Sequence, residues 1–191
     1  MTARWDDFFN LLRVLSFDLF ETYDRLRYEA DHQASRRNWA RTLCSQIEAF
    51  AYSTKQILAD LSEFPFAKLT PHEVLLLREQ SYEIAENGEP KLRGEKYVQI
   101  RTNLKFVAKM CAKAFDLPYV LDTSGSGWSS VDAAFRVRNR LVHPKSFQDM
   151  YVTDDELKTI AAASDWFHKT HREVLEVIEA GLKRTKPTWM T

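Results

Sequence analysis

Apolar residues recur at helical spacing through almost the whole of this 191-residue chain, and this periodicity constrains the fold more than any other feature. The alternation of apolar and polar residues that is typical of strands is nearly absent. The pattern predicts an all-α protein, a bundle of about six helices in which short connections favour antiparallel neighbours. At this length we expect a single domain over residues 1–191, with enough chain to bury a sizeable core.

The first three predicted helices lie in the N-terminal half. The first runs from Trp5 to about Glu29 and is apolar on more than one face, which predicts burial on two sides. The second extends from about Asn38 to Ser62. The third opens at the capping box Thr70-Pro71-His72-Glu73 and is expected to stop near Asn87-Gly88, before a loop that reaches Glu95.

Three more helices are predicted in the C-terminal half. The fourth extends from Ile100 to Phe115, and the loop that follows it closes at Gly127. Ser129-x-x-Asp132 resembles a capping box and is expected to open the fifth helix. Thr153-Asp-Asp-Glu156 opens the last helix in the same way, and that helix is expected to run to about Lys183.

Charge and cysteine content limit the partners and the cellular compartment that we expect. Lysine plus arginine equals aspartate plus glutamate at 27 each, so any contact with nucleic acid needs a local patch. The aromatic and acidic N-terminal segment and the short, charge-interrupted run from Phe8 to Phe20 predict neither a signal peptide nor a membrane span. Cys44 and Cys111 lie among apolar residues, which predicts two buried thiols and a reducing, cytoplasmic setting rather than a disulfide or metal framework.

Arg138 stands where the fifth predicted helix ought to carry an apolar residue. It falls in the middle of the face formed by Val131, Ala134, Phe135, Leu141 and Val142. Removing an unpaired guanidinium from water costs on the order of several kcal/mol. Arg138 therefore needs a partner for its charge, which could be an acid, a phosphate or a partner chain. Glu48 is a candidate acid, although it lies off the centre of the apolar stripe of the second helix.

His143 follows Arg138 by five residues, and Pro144 predicts that the helix ends there. Histidine moves protons near neutral pH, and a guanidinium clamps a phosphate through two parallel hydrogen bonds. With Asn139 to orient the imidazole or hold the phosphate, these groups suit RNA cleavage by the 2′-hydroxyl. The alternative is that Arg138 neutralises a buried carboxylate and His143 only ends the helix.

The segment Arg138-Asn139-Arg140-Leu141-Val142-His143-Pro144, with the loop and long amphipathic helix after it, resembles the HEPN superfamily. That signature is an arginine, usually a polar residue next, and a histidine after four to six residues. The resemblance covers residues 97–183 best. In one toxin branch a tyrosine two residues after the histidine is modified by a partner enzyme; Lys145 stands there in this chain, so that regulation is not implied.

The resemblance implies a metal-independent endoribonuclease without a cofactor, working in a toxin–antitoxin or antiviral defence setting. Its composite active site would lie at a homodimer interface, with Arg138, Asn139 and His143 as catalytic residues. Glu48 and Arg140 are candidate supporting residues on their positions in the sequence and do not belong to the family motif. An antitoxin or defence protein is an expected partner, and a membrane is not. The alternative is a non-catalytic dimerisation or interaction module that docks on a partner protein or RNA.

Two further groups of side chains bear on function. Arg101, Lys105, Lys109 and Lys113 form an i, i+4 ridge of about 18 Å that could follow an RNA backbone together with Arg136, Arg140 and Lys145, or could simply be solvated. His168 and His171 share the apolar stripe of the last helix. Because no third ligand is evident, we interpret them as core or interface histidines and predict no metal site.

Overall fold

In a computed structural model, the chain is described over residues 2–29, 31–95 and 98–185. These residues form, in order, α1 (Thr2–Tyr28), α2 (Gln33–Leu61), α3 (Pro71–Leu77), β1 (Gln80–Ile84), β2 (Pro90–Glu95), α4 (Ile100–Phe115), α5 (Ser126–Val142) and α6 (Asp154–Thr185). The all-α fold class with about six helices is confirmed. The side chain of Trp5 and the whole of Tyr97, both used in the sequence analysis, lie outside the described part.

The chain packs as two compact units. The first comprises the residues up to Phe50 together with Asp122–Arg172, and the second comprises Ala51–Leu121 together with the residues from Glu173 onward. Helices α2 and α6 contribute residues to both. The expectation of a single domain over residues 1–191 stays a prediction. Within the described ranges, no helix is both apolar enough and long enough to cross a lipid bilayer.

The core of the first unit comes from the apolar faces of four helices. Its buried side chains include Leu12 and Leu19 of α1, Trp39, Leu43, Ile47 and Phe50 of α2, Val131, Ala134 and Leu141 of α5, and Ile160 and Phe167 of α6. Phe50 and Phe167 meet edge to face with ring centroids 5.5 Å apart. Gly127 allows the first turn of α5 to approach α6, since a Cβ there would lie 2.6 Å from the Cβ of Trp166.

The first turns of α2 hold the loop that joins α5 to α6. The side-chain amide of Gln33 donates to the carbonyl of Val152 at 3.1 Å and accepts from its N–H at 2.7 Å. Arg36 donates to the same carbonyl at 3.0 Å. The predicted start at Asn38 was wrong by five residues, because residues 33–37 lack the apolar repeat and are helical while binding this loop.

The second unit departs from the prediction between α3 and α4. The third helix does not reach Asn87 but ends at Leu77, and the predicted loop before Glu95 belongs to a β-hairpin. Tyr82 pairs with Leu92 across the two strands. Asn87-Gly88 is the hairpin turn, in which Gly88 has a φ of 81° that a residue without a Cβ adopts at no steric cost.

The predicted capping boxes have different outcomes. At Thr70 the box is confirmed in both directions, with Glu73 accepting from the Thr70 N–H at 2.8 Å. The Thr153 box is also confirmed, since Thr153 and Glu156 exchange hydrogen bonds of 3.0 and 3.2 Å. The box at Ser129 is wrong: α5 begins at Ser126, and the Ser129 hydroxyl donates to the Ser126 carbonyl at 2.8 Å.

Both cysteines are buried and unpaired, as predicted. Burial raises the pKa of the Cys44 thiol to about 12, an effect that the nearby Arg138 guanidinium partly opposes. Burial likewise raises the pKa of Cys111 to about 12. Both thiols are therefore protonated and unreactive at neutral pH.

Candidate functional site

The candidate site is the C-terminal end of α5 in the first unit. The helix ends where Pro144 predicts, with His143 as its C-cap at φ −123° and its N–H donating to the Asn139 carbonyl at 3.0 Å. The six residues from Arg138 to His143 therefore cover the last helical turn and the cap, and their five steps correspond to about 7.5 Å of helical rise.

Arg138 occupies the centre of the apolar face of α5, as predicted, and it is received by an acid. Its guanidinium forms an ion pair with Glu48 of α2 and lies over the Phe135 ring, 5.1 Å from the centroid. The Arg138 side chain is 22% exposed and that of Glu48 is 43% exposed. The ion pair is thus accessible to water, and a competing anion could reach the guanidinium.

One residue of the predicted apolar face is misplaced. Val142 is 47% exposed, whereas Val137 is buried at 7%. Val142 is the last residue of α5, so no further helical turn follows to continue the buried face. Val137 was overlooked because it lies at the edge of the face, where the neighbouring elements still cover it.

Asn139 and His143 both lie in solvent. Neither side chain makes a hydrogen bond to any residue in the described ranges, which leaves both free to meet a ligand. The imidazole of His143 thus lies in solvent at a fixed helix end and makes no side-chain hydrogen bond within the described ranges, so a substrate proton can come within its reach.

The other basic residues of this region are mostly engaged. Arg140 donates to the Tyr151 carbonyl at 2.9 Å and to Glu156 at 3.0 Å, which joins the end of α5 to the start of α6. Arg136 pairs with Asp132 one turn earlier at 2.6 Å. Lys145 is exposed, and its backbone N–H donates to Asp149 at 2.7 Å.

The predicted basic ridge belongs to the second unit. Lys105 and Lys109 are exposed, while Arg101 and Lys113 are half-buried. Lys113 donates to both oxygens of Glu73 at 2.7 Å, and this contact, with the Thr70 N–H, lowers the pKa of Glu73 to about 2. The C-terminal end of the ridge is therefore neutralised by an acid rather than open to a phosphate.

The two histidines of α6 are separated by their surroundings. His171 stacks 5.7 Å from Phe167 and meets Phe50 edge to face at 4.7 Å, and burial lowers its pKa to about 4. His168, predicted on the buried stripe, is instead exposed, with its Nδ1 2.9 Å from the Ser164 carbonyl. Among the described residues no three histidine, cysteine, aspartate or glutamate side chains are grouped as metal ligands.

The buried ion pair of Lys55 was not predicted from the sequence. In the second unit, Lys55 of α2 is 1% exposed, forms an ion pair with Glu79 and donates to the Asn103 side chain at 2.9 Å. Glu79 holds a left-handed backbone with a φ of 55°. The signal was present, because Lys55 follows Ala51 and precedes Leu58 on the apolar face of α2, as Arg138 does on α5.

Comparison of the chain with family profiles, with curated proteins and with solved structures gives no match. The resemblance to HEPN proteins therefore depends on the Arg138-to-His143 segment and on the helices around it.

Proposed function

We propose that this protein is a metal-independent endoribonuclease of HEPN type that acts in a defence or toxin–antitoxin setting, with its active site at the end of α5. The observation that carries the proposal is the contrast between Arg138, paired with Glu48 where water reaches both side chains, and His143, exposed at a fixed helix cap without a side-chain hydrogen bond in the described ranges. A phosphate clamp and a proton-transfer group at one helix end supply both needs of RNA cleavage by the 2′-hydroxyl.

In the proposed reaction His143 takes the proton of the 2′-hydroxyl as its oxygen attacks the adjacent phosphorus. The phosphorus–O5′ bond breaks, leaving a 2′,3′-cyclic phosphate and a 5′-hydroxyl. Arg138 binds the negative non-bridging oxygens, whose charge is concentrated in the transition state, and Asn139 orients the imidazole or the phosphate. The leaving 5′-oxygen needs a proton, and in a two-fold dimer the partner's His143 can donate it.

Glu48 has a defined role in this proposal. A carboxylate and a phosphate ester present the same anionic oxygens to a guanidinium, so RNA exchanges with Glu48 at Arg138. The exchange is inexpensive because both side chains of the ion pair are in contact with water, and exposed pairs are worth about 0–1 kcal/mol. Glu48 thus keeps Arg138 neutralised until RNA arrives.

A second function is favoured by the same ion pair. If Glu48 binds Arg138 permanently, the segment is structural, and the chain is a non-catalytic module that docks on a partner protein or RNA. The exposed aromatic side chains of α1, among them Phe17 and Phe20, would then carry the function.

Cleavage of RNA by the purified full chain tests the two functions against each other. We expect cleavage in EDTA, products that end in a cyclic phosphate, and loss of at least about 100-fold in rate in His143→Ala. His32→Ala removes an exposed histidine from the same unit and is the matched control, expected to cleave normally. Equal activity in His143→Ala and the control would refute the ribonuclease, and loss of activity with EDTA would exclude a metal-independent reaction.

A further inference from the structure

The outward face of α1 carries aromatic side chains that its own unit leaves in solvent. The inward face buries Phe8, Leu12, Leu19 and Leu26. On the other side Phe17 is 61% exposed and Phe20 is 62% exposed. Aromatic residues grouped on one exposed helix face mark an interaction surface, because water is a poor environment for that much apolar area.

Six residues on the outward side of α1 follow a regular spacing. Phe9, Arg13, Phe17, Phe20, Asp24 and Tyr28 are separated by steps of 4, 4, 3, 4 and 4 residues, and we call this set the α1 stripe. Asp24 is half-buried and the other five are exposed. At 100° per residue the six positions fall within about 100° of the helix circumference. Asn10 and Arg27, both exposed, lie at the two edges of this arc and are equidistant from the midpoint between Phe17 and Phe20. Members 11 residues apart lie almost in line, since 11 residues complete three turns, so the stripe runs along the axis for about 28 Å.

The α1 stripe is symmetric in sequence about the point midway between Phe17 and Phe20. On one side Arg13 lies between two aromatic residues, and on the other side Asp24 lies between two aromatic residues. Neither Arg13 nor Asp24 has an ion-pair partner within the described ranges. Reversing the stripe therefore places aromatic residues on aromatic residues and each charge on its opposite.

We propose that the α1 stripe binds the α1 stripe of a second copy of this chain, antiparallel, about a two-fold axis midway between Phe17 and Phe20. Phe17 then faces the partner's Phe20, and Arg13 faces the partner's Asp24. Phe9 faces the partner's Tyr28. Each contact occurs twice, as in any isologous interface, so two ion pairs flank a central group of four phenylalanine rings.

The charges select this partner over other occupants. A parallel pair would set Arg13 against the partner's Arg13 and Asp24 against the partner's Asp24, which like-charge repulsion opposes. An anionic membrane would meet two carboxylates, Asp24 and Glu21, beside Arg13 and Arg27 on this side of α1, whereas helices that lie on membranes have a predominantly basic polar face. The second copy is the partner whose charges the stripe complements.

The proposed interface lies on α1 and contains none of the residues of the proposed active site, so molecular mass and not cleavage is the quantity that tests it. Sedimentation of the full chain is expected to give twice the 22.3 kDa of one chain at about 100 µM. Arg13→Asp and Asp24→Arg each set like charges together at both ends and are expected to weaken the dimer by about 100-fold. Arg25→Asp makes the same charge change outside the stripe and should leave the dimer intact.

Mixing the two single variants gives the sharpest result. Neither Arg13→Asp nor Asp24→Arg pairs well with itself, yet a mixture forms a heterodimer in which all four charges find opposite partners. Circular dichroism confirms that each variant keeps the wild-type helix content. A wild-type monomer at about 100 µM would overturn the proposal, as would a mixture that stays monomeric, or liposome binding by a chain that is monomeric in solution.

Discussion

Arg138 in the first unit and Lys55 in the second carry the same sequence signal, a charge in the middle of an apolar helix face, but meet different surroundings. Lys55 is 1% exposed and is bound by Glu79 and Asn103. Arg138 is 22% exposed, and its partner Glu48 is 43% exposed. A charge on an apolar face thus shows that a partner exists, but solvent access decides whether that partner is permanent.

The two ion pairs consequently suit different roles. The charge of Lys55 is removed from water, so loss of its partner leaves an uncompensated charge in a medium of low dielectric constant. Glu79, with a φ of 55°, lies in the turn between the end of α3 and the start of β1, so the ion pair fixes that turn. Arg138 is accessible enough to water to exchange Glu48 for another anion. A ligand-binding site needs such an exchange, whereas a structural ion pair does not.

Glu79→Gln is expected to have the largest effect on stability. It keeps the size of the side chain but strands the Lys55 ammonium, which should lower the free energy of unfolding by about 3–5 kcal/mol. Urea denaturation measures the loss. The double variant Lys55→Met with Glu79→Gln buries no charge and should regain more than half of the stability. A cost of Glu79→Gln below about 1 kcal/mol would mean that Lys55 reaches water, and the contrast with Arg138 would disappear.

Arg138→Ala is expected to have a smaller effect on stability than on RNA binding. Removing one side of a water-accessible ion pair should change the free energy of unfolding by about 1 kcal/mol or less, while binding of RNA falls at least about tenfold. Urea denaturation and a fluorescence-anisotropy titration measure the two quantities on the same sample. A loss of stability as large as that of Glu79→Gln would assign Arg138 to the structural class.

The sequence predicted the features that local chemistry determines. The capping boxes at Thr70 and Thr153, the end of α5 before Pro144 and the placement of Arg138 on an apolar face all depend on residues within a turn or two. Glu48 was foreseen as an acid within reach of Arg138, but only the packing of α2 against α5 brings the two together.

The features that were missed depend on tertiary contacts. Helix α3 ends at Leu77, and two residues later Glu79 has a left-handed backbone and forms an ion pair with Lys55. Helical periodicity predicts neither this backbone conformation nor this ion pair. The hairpin turn at Asn87-Gly88 was interpreted as a helix end, since glycine serves both purposes. Lys55 carries the same sequence signal as Arg138, because it lies between the buried residues Ala51 and Leu58 on the apolar face of α2.

Binding of RNA to Glu48→Gln tests the central claim most directly, because that claim is that Glu48 and RNA compete for Arg138. A 2′-O-methyl RNA, which cannot be cleaved, allows the dissociation constant to be measured by fluorescence anisotropy. Glu48→Gln should bind about 5-fold more tightly than wild type, a gain of about 1 kcal/mol, and Asp165→Asn on α6 should not. In an Arg138→Ala background the gain should vanish. An unchanged dissociation constant in Glu48→Gln, or an equal gain without Arg138, would contradict the exchange.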